Sequence, residues 1–559
     1  METIREFGTR ATAAKLLSYA PVLLLIAFAF FGRYDFSKSN LWSYDFLSMN
    51  DHLIWLLLIL VAATFITIWN RNDLPLSSLL VLACVFSVGE VWLNYPMIWR
   101  DVLFHGSGVK SILETAHTGG TWLDYPSMHP GLFIVWSILA LVTGLDIVRS
   151  NLVLLLPVGV MLVIGSLVVI HRKLGISIAN GCALLAFLLM NFNMNEYMFS
   201  HFNTRLLSFA YVLVFLLLFL RRQREPAGDV LLLVISVALV ISHPLNSLVV
   251  IVFLGIRVLL DPRQARFRSM FLSCATIYVV WNAYVGYERL AMGLLSLLDF
   301  YAVFLGLDVI AGWASGPGAA PFFGIVFGTV YKVLLVLLTL GSLYCALRLR
   351  SSGTVRTLTA YLLSTFAVYG IAFFFGLTWI AADRAIILAS LPLASLPVIL
   401  LIPTRSNHGL WRRRAALALV LILVIPQFAL VHEPPLGTQR VASISDVSSF
   451  LVNHRGGRGL ATLDDFPLYY CFYDPYYMDY DHLSFLELPS LGNVTDFLLT
   501  RSADELKVVG YRQIVDWGWV YRHAYSYDDA LAQWDRAVNT KLNGRYNSIY
   551  SNGFETVYS

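Results

Sequence analysis

The chain has 559 residues, of which 58% are hydrophobic and 13% charged, and its formal net charge is +4. A water-soluble fold carries roughly a quarter of its residues as charge, so lipid is the solvent for most of this chain. The small net charge, with no basic stripe outside short loops between apolar runs, argues against nucleic acid as a partner.

The first residues, Met1 to Lys15, are basic, and the apolar run that follows has no small-residue cleavage pattern after it. It reads as a retained helix, not a signal peptide. Apolar runs then fall near 15–32, 53–69, 75–93, 131–144, 151–170, 176–192, 206–220, 229–243, 246–260, 269–287, 322–345, 357–378, 386–402 and 415–431. Basic clusters stand at Arg5–Lys15, Arg71, His171–Lys173, Arg221–Arg224, Arg263–Arg268, Arg348–Arg356 and Arg405–Arg414. If all these runs cross the bilayer, the clusters after 151–170 lie on the opposite side from Arg5 and Arg71. The run 131–144 is short and starts at Pro130-Gly131. Treated as a juxtamembrane or re-entrant segment, it lets every cluster share one side, as the positive-inside rule requires. The expectation is an α-helical polytopic protein of the cell membrane, with about thirteen transmembrane helices. Its N-terminus is cytoplasmic, residues 1–431 form the transmembrane part, and 432–559 form a small extracytoplasmic α/β domain. The segments 94–130, 193–205, His243-Pro244, 288–321, 379–385 and 432–559 then share the outer face.

In the tail, Ser445 can cap a helix over 446–454 with Phe450 and Leu451 on one face. Gly459–Leu463 and Gln513–Val520 read as strands, Tyr527–Leu542 as an amphipathic helix, and Asn547–Tyr558 as a two-stranded ending around Ser551-Asn552-Gly553. The stretch Tyr469–Tyr480 crowds aromatic rings beside Asp474 and Asp479. It suits either a sugar contact or a loop against the membrane interface. Five cysteines are scattered and frame neither a disulfide set nor a zinc site. Asn493-Val494-Thr495 is a glycosylation sequon. No phosphate-binding Gly-rich loop is present, and Gly316–Ala320 lacks the Lys and the strand, so neither a nucleotide cofactor nor a nucleotide-sugar donor is supported.

The densest polar pattern lies in the first large outer loop. Asp101, His105, Val109 and Ile112 recur at helical spacing, so Asp101 and His105 share a face of one short helix. The cluster Asp124-Tyr125-Pro126 … His129-Pro130 follows. The next outer loop carries Asn195-Glu196-Tyr197 … His201, then Phe202-Asn203-Thr204-Arg205. His243 sits at the tip of a tight hairpin, and Asp383-Arg384 heads the run 386–402.

These motifs resemble the GT-C class of integral membrane glycosyltransferases, and within it a poorly characterised, largely archaeal group. In that class an acidic residue lies in the first large extracytoplasmic loop on a juxtamembrane helix, ahead of a Tyr-Pro-rich stretch. Here Asp101 and Tyr125-Pro126 … His129-Pro130 match it. Further likeness lies in Phe202–Arg205, in Ser242-His243-Pro244-Leu245-Asn246-Ser247, in Asp383-Arg384 and in Ile549–Gly553. The acidic pair common in the first loop is reduced to Asp101 beside Arg100.

The resemblance implies a lipid-linked donor, a polyprenyl-phosphate sugar, and inverting transfer on the outer face to a glycan, lipid or protein acceptor. Such transfer needs a base for the acceptor hydroxyl, and Asp101 holds that position. His105, Asp124, His129, Glu196, His201, Arg205, His243 and Arg384 are the candidate substrate-binding residues. The two arginines are placed either to receive the departing phosphate or to snorkel to lipid headgroups. Glu196 matches a second-loop acidic residue that in the class helps bind metal or acceptor, so a divalent cation (Mg or Mn) stays open as a cofactor. The competing readings are a transporter or flippase and a non-catalytic binder of lipid-linked glycans. Against a transporter, ionisable groups gather at the outer boundary instead of at the midplane.

Overall fold

The computed structural model describes residues 97–117, 129–176, 178–191, 202–220, 226–285, 322–349, 352–374, 378–401, 438–454, 460–463, 480–483, 506–510, 532–551 and 555–559, with isolated positions at 76, 79, 458, 498 and 499. The first strand, β1 (Met97–Trp99), runs straight into α1 (Arg100–Thr115). Then come α2 (Gly131–Thr143), α3 (Ile147–Lys173), α4 (Ala179–Asn191), α5 (Thr204–Phe219), α6 (Pro226–Ser242), α7 (Pro244–Leu260) and α8 (Ala265–Tyr284). The bundle continues with α9 (Phe322–Arg348), α10 (Gly353–Phe374) and α11 (Thr378–Leu401). These helices coincide with ten of the apolar runs. The runs 15–32, 53–69, 75–93 and 415–431 lie outside the described residues, apart from Leu76 and Leu79.

Helix ends follow local chemistry. Gly144 takes a left-handed conformation (φ 68°) and its N–H closes on Ala140 O, ending α2. Asp146 then caps α3 by accepting from Arg149 N at 2.8 Å. The short run 131–144 is thereby a 13-residue helix, about 20 Å long, against a hydrocarbon core of about 30 Å. Within α3, Ser150–Leu155 winds as a π-helix, and the Trp136 indole Nε1–H reaches from α2 to Ile147 O (2.8 Å) and Ser150 Oγ (2.9 Å).

Among the described residues one helix, Ile147–Lys173, is long and apolar enough by composition to cross a membrane, and seven others are shorter apolar helices. The residues from Ile178 to Met190 are all buried, so α4 is covered on every face and sits inside the bundle. It packs against α3 and α11. The outward faces are apolar too: Val230, Val234 and Val237 on α6, and Val333, Val336, Leu337 and Leu340 on α9, are exposed at helical spacing. Apolar surface of that extent fits lipid as its solvent.

Polar contacts sort the two ends of the bundle. At one end Asp229 of α6 pairs with Arg266 of α8 (2.6 Å), and Asp261 after α7 pairs with Arg257 (2.5 Å) and with Arg356 of α10 (3.2 Å). The loops bearing Arg263–Arg268 and Arg348–Arg356 therefore meet at the same end. The opposite end holds Ser242-His243, Asn246 and the start of α5.

In the tail, β2 (Thr438–Arg440) leads directly into α12 (Val441–His454). Strands β3 (Leu460–Leu463), β4 (Tyr480–Leu483), β5 (Leu506–Gly510), β6 (Ser548–Ser551) and β7 (Glu555–Tyr558) form one sheet in the order β4-β3-β5-β7-β6. β3 is parallel to β4 and β5, whereas β7 is antiparallel to β5 and β6. Val447 and Leu451 of α12 pack on Leu460, Leu506 and Val557 of the sheet. A helical segment at 532–543 covers the later part of the expected 527–542 helix. The expected strand 513–520 and the aromatic stretch 469–480, apart from Tyr480 at the start of β4, lie outside the described residues.

Two boundaries are corrected. Ser445 does not cap α12 but lies within its second turn, because the helix starts where β2 ends. The segment 379–385 is no loop: α11 begins at Thr378, so Arg384 is its seventh residue and does not head it. Nothing between Thr378 and Pro392 breaks a helix, and the nearest glycine is Gly376.

Candidate functional site

Asp101 is the second residue of α1 and His105 lies one turn later, as their spacing predicts. Val102 and Val109 anchor α1 in the bundle core. The half-buried His105 ring meets the Phe133 ring of α2 edge-on, with centroids 5.7 Å apart. An edge-to-face pair of this kind orients the imidazole, and it ties the helix that carries Asp101 to α2.

His129 is buried, two residues before α2. It does not cap that helix, since Pro130 occupies the cap position. Gly131 is required by what faces it: a Cβ there would collide with Ser242 Oγ and lie 3.2 Å from Ile241 O. The start of α2 thus rests against the last residues of α6, next to His243. Among the described residues, Ser242 Oγ is buried without a hydrogen-bond partner.

His243 is the single residue between α6 and α7. Its extended backbone (φ −162°, ψ 120°) and the fixed φ of Pro244 at the first helical position start α7 at once. The His243 side chain caps that helix, with Nδ1 accepting from Asn246 N at 3.4 Å. A neutral imidazole that accepts at Nδ1 carries its proton on Nε2.

Asn246, one turn on, gathers three helices. Its Nδ2 donates to Ser208 Oγ of α5 at 2.7 Å, and its Oδ1 accepts from the Tyr369 hydroxyl of α10 at 2.7 Å. Ser208 Oγ donates in turn to Arg205 O at 3.1 Å. Arg205 stands in the first turn of α5, half-buried, where Asn203 caps the helix by accepting from Arg205 N (3.0 Å) and Leu206 N (2.9 Å). The approach to that cap is fixed by Asn151 of α3, which accepts from Phe202 N and donates to Phe202 O, both at 2.8 Å. The Phe202 ring lies where a Cβ on Gly159 would stand.

The structure therefore gathers His129, Arg205 and His243 at one end of the bundle, with His105 joined to them through α2. The side chains of Asp101 and Arg384 are not described. Asp124, Glu196 and His201 lie outside the described residues. Asn151, Ser208 and Tyr369 were not singled out in the sequence. The available signal was a polar side chain inside an apolar run, which inside a membrane needs a partner. Among the described residues no three His, Cys, Asp or Glu side chains gather to hold a metal ion.

No protein-family model matches the chain, and no curated protein matches it. Among solved structures, the chain is similar to the oligosaccharyltransferase of Archaeoglobus fulgidus in complex with Zn and sulfate, at 12% identity over 86% of this chain and 72% of that one, with a TM-score of 0.47. The archaeal oligosaccharyltransferase AglB from the same organism, in complex with an inhibitory peptide and a dolichol-phosphate, gives 12% identity, 86% and 73% coverage and a TM-score of 0.48. ArnT from Cupriavidus metallidurans, bound to undecaprenyl phosphate, gives 10% identity, 90% and 97% coverage and a TM-score of 0.46.

Proposed function

We propose that this chain is an inverting glycosyltransferase that moves a sugar from a polyprenyl-phosphate donor to a glycan, lipid or protein acceptor on the outer face of the membrane. What carries the reading is a convergence. The motifs His129-Pro130, Phe202–Arg205 and Ser242–Ser247, by which the sequence resembles the GT-C class, meet at one end of the bundle, where Gly131 next to Pro130 faces Ser242. That end lies opposite the arginine-rich loops, which under the positive-inside rule face the cytoplasm. Residues 432–559 act as an α/β domain on the outer side.

In the proposed step the acceptor oxygen attacks the anomeric carbon as the bond from that carbon to the phosphate oxygen breaks on the opposite face. Asp101 takes the hydroxyl proton. The phosphate leaves with the bonding pair, and the donors suited to it are Arg205, Arg384 and the Nε2–H of His243.

Asp101→Asn in membranes supplied with radiolabelled polyprenyl-phosphate sugars tests the assignment. The expected loss of transfer is about a hundredfold or more, the range for removal of a general base. Transfer at the wild-type rate would remove Asp101 from this role.

A further inference from the structure

We propose that the strand Thr438–Arg440 is a positioning element for Asp101, so that the tail sets the geometry of the catalytic helix across the sequence. The inference rests on the reading of Asp101 as the base.

β1 and β2 pair antiparallel, with Met97 opposite Arg440, Ile98 opposite Gln439 and Trp99 opposite Thr438. No residue intervenes between Trp99 and the start of α1 at Arg100, nor between Arg440 and the start of α12 at Val441. Asp101 is thus two residues past a paired position, and its backbone cannot shift far while the ribbon holds.

Each strand is also attached to a larger body. β2 continues into α12, whose Val447 and Leu451 are fixed on the tail sheet. β1 continues into α1, whose Val102 and Val109 are fixed in the bundle and whose His105 meets Phe133. The ribbon itself is three residues a side, too short to be stable alone. It persists because the bodies at both ends hold it, which makes it a connection that opens before either body unfolds. A displacement of the tail sheet is therefore transmitted first to the N-terminal turn of α1, where Asp101 sits.

Hydrogen exchange of the full-length chain reads this without relying on activity. Bonded and non-bonded pairs alternate along an antiparallel ladder, so between them Thr438→Pro and Gln439→Pro remove a ladder N–H. In at least one of the two, amides of Arg100–Thr115 are expected to exchange about tenfold faster or more, while those of Ala179–Asn191 keep their protection. In that variant transfer falls in kcat with the donor KM unchanged. The pair Ile98→Cys with Gln439→Cys, once oxidised, keeps wild-type protection and kcat. Unchanged exchange over Arg100–Thr115 in both proline variants, or failure of the cysteine pair to close, overturns the proposal. If both proline variants unfold, closure of the cysteine pair with retained protection supports it. The exchange result is independent of the base assignment, which Asp101→Asn tests separately.

Discussion

The Tyr369 hydroxyl donates to Asn246 Oδ1 at 2.7 Å, joining two helices through residues 123 positions apart. Because Asn246 also donates to Ser208 and its backbone N–H is capped by His243, one buried amide ties α5, α7 and α10 to the cap at the candidate site. A hydrogen-bonded polar network inside an apolar bundle fixes which helix faces meet, since a slip leaves a desolvated group behind.

Tyr369→Phe removes the donor and leaves Asn246 Oδ1 without it. Interhelical hydrogen bonds in membranes average about 0.6 kcal/mol and reach about 1.7, so a small fall in the thermal midpoint of detergent-solubilised protein is expected. Asn246→Leu disrupts both bonds and the packing around them, and should cost more. In a double-mutant cycle the two changes should couple by about 0.5 kcal/mol or more. Strict additivity would show that this bond is not formed in solution.

The sequence made the helices legible because apolar runs and their breaks are local signals. His243-Pro244 was legible as a helix end from residue type alone, because Pro244 ends the preceding helix. Arg384 and Ser445 were misplaced because a helix start was set by neighbours: α11 runs on from Thr378, and α12 begins at the end of β2. The β1–β2 ribbon had no readable signal, since three-residue strands more than 300 positions apart leave no periodicity to detect. Tyr369 was visible as a polar group in an apolar run, but its partner depended on how α7 and α10 pack.

Gly131→Ala places a methyl group against Ser242 Oγ and near Ile241 O. Overpacking of this kind costs about 1–3 kcal/mol. It should also push α2, and with it Phe133 and His105, away from α6. Ser242→Ala removes the oxygen that the new methyl would strike and is expected to recover part of the loss. Equal thermal midpoints for Gly131→Ala with and without Ser242→Ala would place the clash elsewhere. Circular dichroism melts of the three variants decide between these.

Asp261 balances two arginines, Arg257 with its side chain only 7% exposed and Arg356 at 39%. Arg257 also lies over the Phe267 ring, 5.1 Å from its centroid. Asp261→Ala leaves a buried guanidinium without its counter-charge, a loss of about 3–5 kcal/mol. Arg356→Gln removes the more exposed partner and should cost about 1 kcal/mol or less. The order of the two melting midpoints is the measurement, and a larger effect for Arg356→Gln would contradict the assignment of Arg257 as the buried partner.

The orientation across the membrane has a direct test at the two ends of α8. Arg263 precedes the helix on the arginine-rich end and is exposed, while Tyr284 closes it and is 90% exposed. The helix has 20 residues, about 30 Å of rise and so the thickness of the hydrocarbon core. Cys182, Cys274 and Cys345 are buried, so replacing Cys84 and Cys471 by Ser leaves a chain in which one introduced thiol dominates labelling. A membrane-impermeant maleimide added to intact cells should then label Tyr284→Cys and spare Arg263→Cys until the membrane is opened. The reverse pattern would put the His129, Arg205 and His243 end in the cytoplasm. Labelling of both from one side would mean that α8 does not cross. Either result would remove the outward-facing transfer proposed for this chain.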